Sequence, residues 1–226
     1  MLVLVLVLVL VLAACAGAPP PPPPPPEPEH KAATMPTLES EIGGMREEAT
    51  VKAFERLGEP VLDCVKQNTK RVRQLGGTFV ISIRVGREGR AVWAYLSESN
   101  LGDRATERCI LDLARGNDWP KPVGGEGLAT RSFQVDPESV PVELEAKRIK
   151  PALKYGAKSF AQCRKAVRGR FMATAYVRPD GRVEAAGVAP PREDLEETAD
   201  CFADTVKKMK FGSPGRKGAK VTFEVP

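Results

Sequence analysis

From Gly77 onward, apolar and polar residues alternate, with Phe79, Ile81, Ile83 and Val85 on one face and Val80, Ser82 and Arg84 on the other. A period of two marks a half-buried strand. Gly86-Arg87-Glu88-Gly89 supplies a turn, and Arg90–Leu96 returns as the second arm of a hairpin. In that arm Ala91, Trp93 and Tyr95 compete with Val92, Ala94 and Leu96 for the inner face. A strand covered on both faces, or a bulge, would produce this. On either side the period becomes helical. Ahead lie Glu47–Leu57 and a second helix opened by Pro60, with Val61, Leu62 and Val65 at helical spacing. Behind, Asp103 stands where it can cap a helix running to about Arg115, with Ile110, Leu113 and Ala114 inward. Trp119-Pro120-Lys121-Pro122 stops this helix, and a glycine-rich turn leads into a last strand, Leu128–Val135. The order is helix, strand, strand, helix, strand.

The same pattern returns 92 residues later. Gly77, Phe79, Val85, Gly89-Arg90, Ala94, Thr106, Cys109, Asp112 and Pro122 recur as Gly169, Phe171, Val177, Gly181-Arg182, Ala186, Thr198, Cys201, Asp204 and Pro214, with Phe211 at the place of Trp119. Identities fall on glycines, a cysteine and aromatics that punctuate structure, so the repeat is a duplicated unit. The second copy closes with Val221, Phe223 and Val225. The expected fold class is α+β. Two small tandem domains, 47–136 and 142–226, each place their helices on one face of an antiparallel sheet.

Each copy carries two cysteines, one before the hairpin and one in the later helix: Cys64 and Cys109, Cys163 and Cys201. That placement ties the two helices across one face of the sheet, and in an oxidising compartment an even count reads as disulfides. Cys64–Cys109 and Cys163–Cys201 are the expected pairs. The first copy has seven more residues than the second between its early cysteine and its strand, close to two helical turns.

Residues Leu2–Leu12 form an unbroken Leu/Val run followed by Leu12-Ala13-Ala14-Cys15. The run suits a signal-peptide core and is too short to span a bilayer. The four residues resemble a bacterial lipobox, which implies a signal peptide at 1–14 and lipidation of Cys15. An ordinary secretory peptide cut after Ala16 is the other reading. No Asp follows Cys15, and by resemblance to bacterial sorting this points to the outer membrane, facing the periplasm. Residues 15–46 form a linker whose eight prolines, Pro19–Pro26, make a stiff polyproline spacer.

Between Glu27 and Glu48 six glutamates face only Lys31 and Arg46; the whole chain carries +5, so residues 51–226 carry +9. In a cytosolic protein that balance would suggest nucleic acid. In an exported chain the reachable anions are lipid headgroups, envelope polysaccharide and acidic proteins, and no nucleic acid is expected. Lys66, Lys70, Arg71 and Arg73 form the densest basic cluster, at a helix end. The lone histidine, His30, lies in the linker, which removes histidine general-base catalysis and multi-histidine metal sites. No C-x-x-C, G-x-S-x-G or Walker A spacing occurs. Gly212–Gly218 is basic and glycine-rich but precedes a strand, so it reads as a turn rather than a phosphate loop. Glu193, Asp194, Glu196 and Glu197 fall at a helix start, where the helix dipole suits them. Neither an enzyme activity, a cofactor nor a metal is expected.

The alternating strand opened by glycine, the Gly-Arg turn and the helix ending in aromatic-x-x-Pro resemble the TonB C-terminal domain. Closer still is the TonB-like C-terminal domain of AgmX-type gliding-motility proteins. The motifs that carry the likeness are Cys64, Leu101-Gly102-Asp103, Glu107-Arg108-Cys109 and Trp119-Pro120-Lys121-Pro122-Val123-Gly124-Gly125. The second copy departs from it at Pro190-Pro191 and Glu193-Asp194. The resemblance implies a small α+β domain whose sheet edge binds another envelope protein, by strand addition in TonB itself. A non-enzymatic lipoprotein is therefore expected, held to a membrane by its lipid and binding a protein partner in a motility, transport or secretion assembly. The residues expected to meet that partner are Phe133, Val135, Phe223 and Val225 in the last strands. The alternative is a structural lipoprotein that binds anionic cell-wall polymer, peptidoglycan among them, through its basic body.

Overall fold

The computed structural model describes residues 44–226, all within one compact unit. The lipobox and Cys15, the proline run and His30 lie outside the described residues. Helices α1 (Glu47–Glu55) and α2 (Gly58–Thr69) precede the hairpin of β1 (Gly77–Val85) and β2 (Ala91–Ser99), then come α3 (Arg104–Gly116) and β3 (Gly127–Val135). A two-residue β4 (Val142–Glu143) leads into α4 (Ala146–Arg164), β5 (Met172–Val177) and β6 (Val183–Ala189). A 3-10 turn (Glu193–Leu195), α5 (Glu196–Lys207) and β7 (Ala219–Glu224) close the chain. The class is α+β.

The sheets have orders β2-β1-β3 and β4-β7-β5-β6. The first is antiparallel throughout. The second is mixed, which corrects the expected antiparallel sheet: β4 runs parallel to β7, pairing Val142 with Ala219 and Glu143 with Lys220. A strand of two residues is too short to leave a periodic signal in the sequence.

The 92-residue register holds in the backbone well beyond the ten identities. Ile81 pairs with Leu96 and Arg131 in the first sheet, and Ala173 pairs with Val188 and Phe223 in the second. Gly89 and Gly181 both adopt the left-handed region, at φ 78° and 81°. In each copy the glycine carbonyl accepts from the aromatic after the helix, Trp119 N–H at 3.0 Å and Phe211 N–H at 2.7 Å. A Cβ at Gly89 would stand 2.5 Å from the Trp119 carbonyl, and one at Gly181 2.1 Å from that of Phe211. Turn and helix terminus are thus locked together twice, which explains why glycine and aromatic recur at this spacing.

The blurred alternation of the returning strand comes from bulges. Arg84 pairs with Trp93 but Val85 with Ala91, so Val92 is left over and lies exposed. A second shift between Val80 and Ile81 skips Ser97. Ala94 and Leu96 consequently face the core while Trp93 and Tyr95 stack edge-on at 5.6 Å on the far side. Asp103 caps α3, its carboxylate accepting from Thr106 N–H at 3.1 Å and Thr106 Oγ1 at 2.7 Å. Both disulfides are present, Cys64–Cys109 joining α2 to α3 and Cys163–Cys201 joining α4 to α5.

Two hydrophobic cores form, one under each sheet, and they are not separate. Tyr176 and Ala185 of the second copy pack into the core of the first. The second sheet therefore has helices on one face and the first copy against the other, so Thr174 and Tyr176, on the side away from the helices, are buried too.

Candidate functional site

The last strands stand differently in the two sheets. β3 pairs only with β1 and its outer edge carries no ladder, whereas β7 lies between β5 and β4. On β3, the residues pointing away from the core, Thr130, Ser132 and Gln134, are exposed. Phe133 and Val135 point the other way. Phe133 stacks on Phe79 at 5.3 Å and leans on Phe54 at 6.3 Å, while Val135 is buried. Phe223 and Val225 are buried as well, and Val225 lies one residue past β7, its N–H donating to the Phe171 carbonyl at 2.9 Å. The four side chains expected to meet a partner are packing residues, because in this register the odd positions of β3 and β7 face the helices. What the open strand offers is its backbone and its even-numbered polar side chains.

The second candidate is the junction between the copies. Gly76, the last of the residues that the first copy has in excess, supplies one part of the contact. Tyr176 Oη donates to the Gly76 carbonyl at 3.0 Å and accepts from Gly76 N–H at 3.2 Å. Lys220 Nζ donates to the same carbonyl at 2.7 Å and lies 5.5 Å from the centre of the Tyr176 ring. Burial pushes the Tyr176 phenol up to about 12 and pulls Lys220 down to about 8, since desolvation disfavours the charged form of either group. Glu107, on α3, reaches the second sheet at Gly187, where a Cβ would lie 2.3 Å from its Oε1. Ser99 Oγ donates to that oxygen at 2.9 Å, while Oε2 is buried without a hydrogen-bond partner. Burial raises the Glu107 carboxyl above its ordinary range, against the pull of Arg104.

Outside this buried core runs a set of ion pairs between α3 and the start of α5. Arg104 binds Glu196 at 2.9 Å and also Asp200; Arg108 binds Asp200 at 2.8 Å; Arg115 binds Glu196. Glu196 is thus more than a complement to its helix dipole. Arg71, from the basic cluster at the end of α2, donates from Nη2 to both Asp103 carboxylate oxygens, at 2.7 and 2.8 Å, and so holds the cap of α3. These groups are engaged with one another and tie α3 to the start of α5. No group of His, Cys, Asp and Glu that could hold a metal occurs among the described residues. No helix among them is long and apolar enough to cross a membrane.

Glu107 belongs to the Glu107-Arg108-Cys109 motif, whereas Tyr176, Lys220 and Arg104 carry no motif of their own, although the sequence does hold a signal for Tyr176. On the outer face of the hairpin Ser82 and Arg84 of the first copy become Thr174 and Tyr176 in the second. Replacing a charge by an aromatic in the same register marks a face that has been covered.

A scan of protein-family models, a search of curated proteins and a search of solved structures each found no match to this chain.

Proposed function

We propose that this chain is a non-enzymatic envelope lipoprotein whose two TonB C-terminal-like units form one protein-interaction module. Lipidated Cys15 and the proline spacer would hold the module off an outer membrane, on its periplasmic side. The observation that carries the reading is the unpaired edge of β3, in a scaffold that repeats its helix-strand-strand-helix-strand order and its disulfide at a fixed register. An exposed strand edge presents unpaired N–H and C=O groups, and an extended segment of a partner satisfies them by adding a strand. The polar side chains at Thr130, Ser132 and Gln134 suit a partner segment that is polar on the matching face. In the second copy β4 occupies the start of the corresponding edge, at Ala219 and Lys220, so the first copy is the receptive one.

The test places a photo-crosslinking residue at Thr130 in cells, with a second at Arg87 in the exposed hairpin turn as control and an affinity tag after Pro226. A discrete envelope protein captured from position 130 and not from 87, and lost when Cys15→Ala removes the anchor, is the expected result. Equal capture at both positions, or none at 130, refutes strand addition at β3.

A further inference from the structure

Helix α4 has a charge pattern that its own stability does not explain. Between Glu145 and Asp180 the chain holds ten Lys or Arg and no Asp or Glu. The first turn of α4 contains no acidic residue and carries Lys147 and Arg148, although cations there oppose the helix dipole. Lys150, Lys154 and Lys158 follow at four-residue steps, a spacing at which like charges repel. All three are exposed, and among the described residues none makes an ion pair. Lys147, Lys154 and Lys158 lie along the line opposite the buried Ile149 and Phe160, with Lys150 beside it. Lys207, Lys208 and Lys210 at the end of α5 extend the basic surface.

Next to these lysines the surface is apolar. Tyr155 is 95% exposed, more than any other large apolar side chain described. It stands at the rim of a groove of about 430 Å³, lined also by Ala152, Gly156, Thr205 and Met209 and flanked by Lys208 and Lys210. An aromatic with a polar tip, set among lysines whose stems can lie flat, matches the boundary between headgroups and acyl chains. A soluble polyanion would use the charges and leave the tyrosine and groove idle. Lysine, a point charge without the bidentate fork of arginine, suits a diffuse negative surface better than one fixed phosphate.

We infer that the face formed by α4 and the end of α5 lies on an anionic phospholipid surface, its lysines over the headgroups and Tyr155 at the interface. This inference does not depend on a protein partner at β3 or on lipidation of Cys15.

The experiment uses the full chain with Cys15→Ala and vesicles of phosphatidylcholine alone or doped with phosphatidylglycerol. The readout is the ratio of binding to doped over neutral vesicles, because Leu2–Leu12 contributes equally to both. The ratio should be well above one at low salt and fall toward one as salt screens the surface. Lys154→Glu with Lys158→Glu should lower it at least tenfold, since each lysine near such a surface is worth about 1 kcal/mol, a factor of roughly five. Tyr155→Ala should weaken the binding that survives at high salt. Unchanged thermal unfolding of both variants keeps the comparison clean, as all three sites are exposed. A ratio near one, or a lysine variant that binds like the parent, overturns the inference. Binding to purified peptidoglycan or duplex DNA without binding to doped vesicles overturns it as well.

Discussion

Tyr176→Phe isolates the contact between the two copies. The hydroxyl makes two hydrogen bonds to Gly76, and the Gly76 carbonyl keeps Lys220 when it is removed. The Gly76 N–H keeps nothing. The variant therefore loses a bond of about 1 kcal/mol and strands a buried donor at a further 1–3 kcal/mol, so about 2–4 kcal/mol is expected. For a body of this size each kcal/mol moves Tm by about 2–4 °C, which gives a drop of about 4–16 °C by calorimetry on the oxidised chain. Tyr155→Phe is the control, because a fully exposed hydroxyl should change stability by less than about 0.5 kcal/mol. The wild-type phenol adds a second readout. Its folded value near 12 stands above the ordinary 10, so its stabilisation is whole below pH 10 and is lost as pH climbs from there toward 12. Tyr176→Phe should lack that alkaline loss. If the two variants unfold together, Tyr176 does not join the copies and the account of the junction is wrong.

Gly181→Ala should lower stability by about 2–3 kcal/mol in a urea titration, through left-handed strain and collision with the Phe211 carbonyl; an unchanged midpoint would refute the turn–helix lock. Replacing both Cys64 and Cys109 by Ala opens a loop with a sequence separation of 45 and should remove about 4 kcal/mol in the chain-entropy treatment. Non-reducing peptide mapping of the parent chain should return both pairs, and four free thiols would refute them. Glu107 titrates above its ordinary range when folded, so its contribution is complete below the ordinary carboxyl value and falls away as pH rises. Glu107→Gln should flatten the stability profile from about pH 5 upward, and an unaltered profile would assign the slope to other groups. Lys220 has the opposite sign: its folded value near 8 is below the ordinary 10.5, so stability should rise between pH 8 and 10.5 and Lys220→Met should abolish that rise.

What could be read from the sequence was whatever repeats locally. The alternation at Phe79–Val85, the cap at Asp103, the glycine turns and the placement of the four cysteines all have short-range signatures, and each stands in the structure. What could not be read depends on how the copies meet. The +92 register shows that Arg104 and Glu196 occupy the same place in their helices; it does not show that they bind each other. Phe133, Val135, Phe223 and Val225 are expected to meet a partner only through the resemblance, which points to the last strands as a binding edge. Their inward direction follows from pairing with β1 and β5, a long-range fact. β4 escaped because two residues carry no periodicity. The seven residues by which the copies differ end at Gly76, and nothing in their local pattern announces that its backbone meets Tyr176 and Lys220.

Arg104–Glu196 and Arg108–Asp200 each connect a residue to its own counterpart 92 positions on. Were two identical units to associate in this manner, arginine would confront arginine at both places, or acid would confront acid. The contact is thus open only to a pair that has diverged, with one partner turned basic and the other acidic at matched sites. Fusion in a single chain guarantees that each unit finds the unlike one, at high local concentration and in one-to-one ratio. The two copies therefore meet as the unlike partners of a heterodimer would, joined in one polypeptide, and at these two places neither half carries the charge of the other.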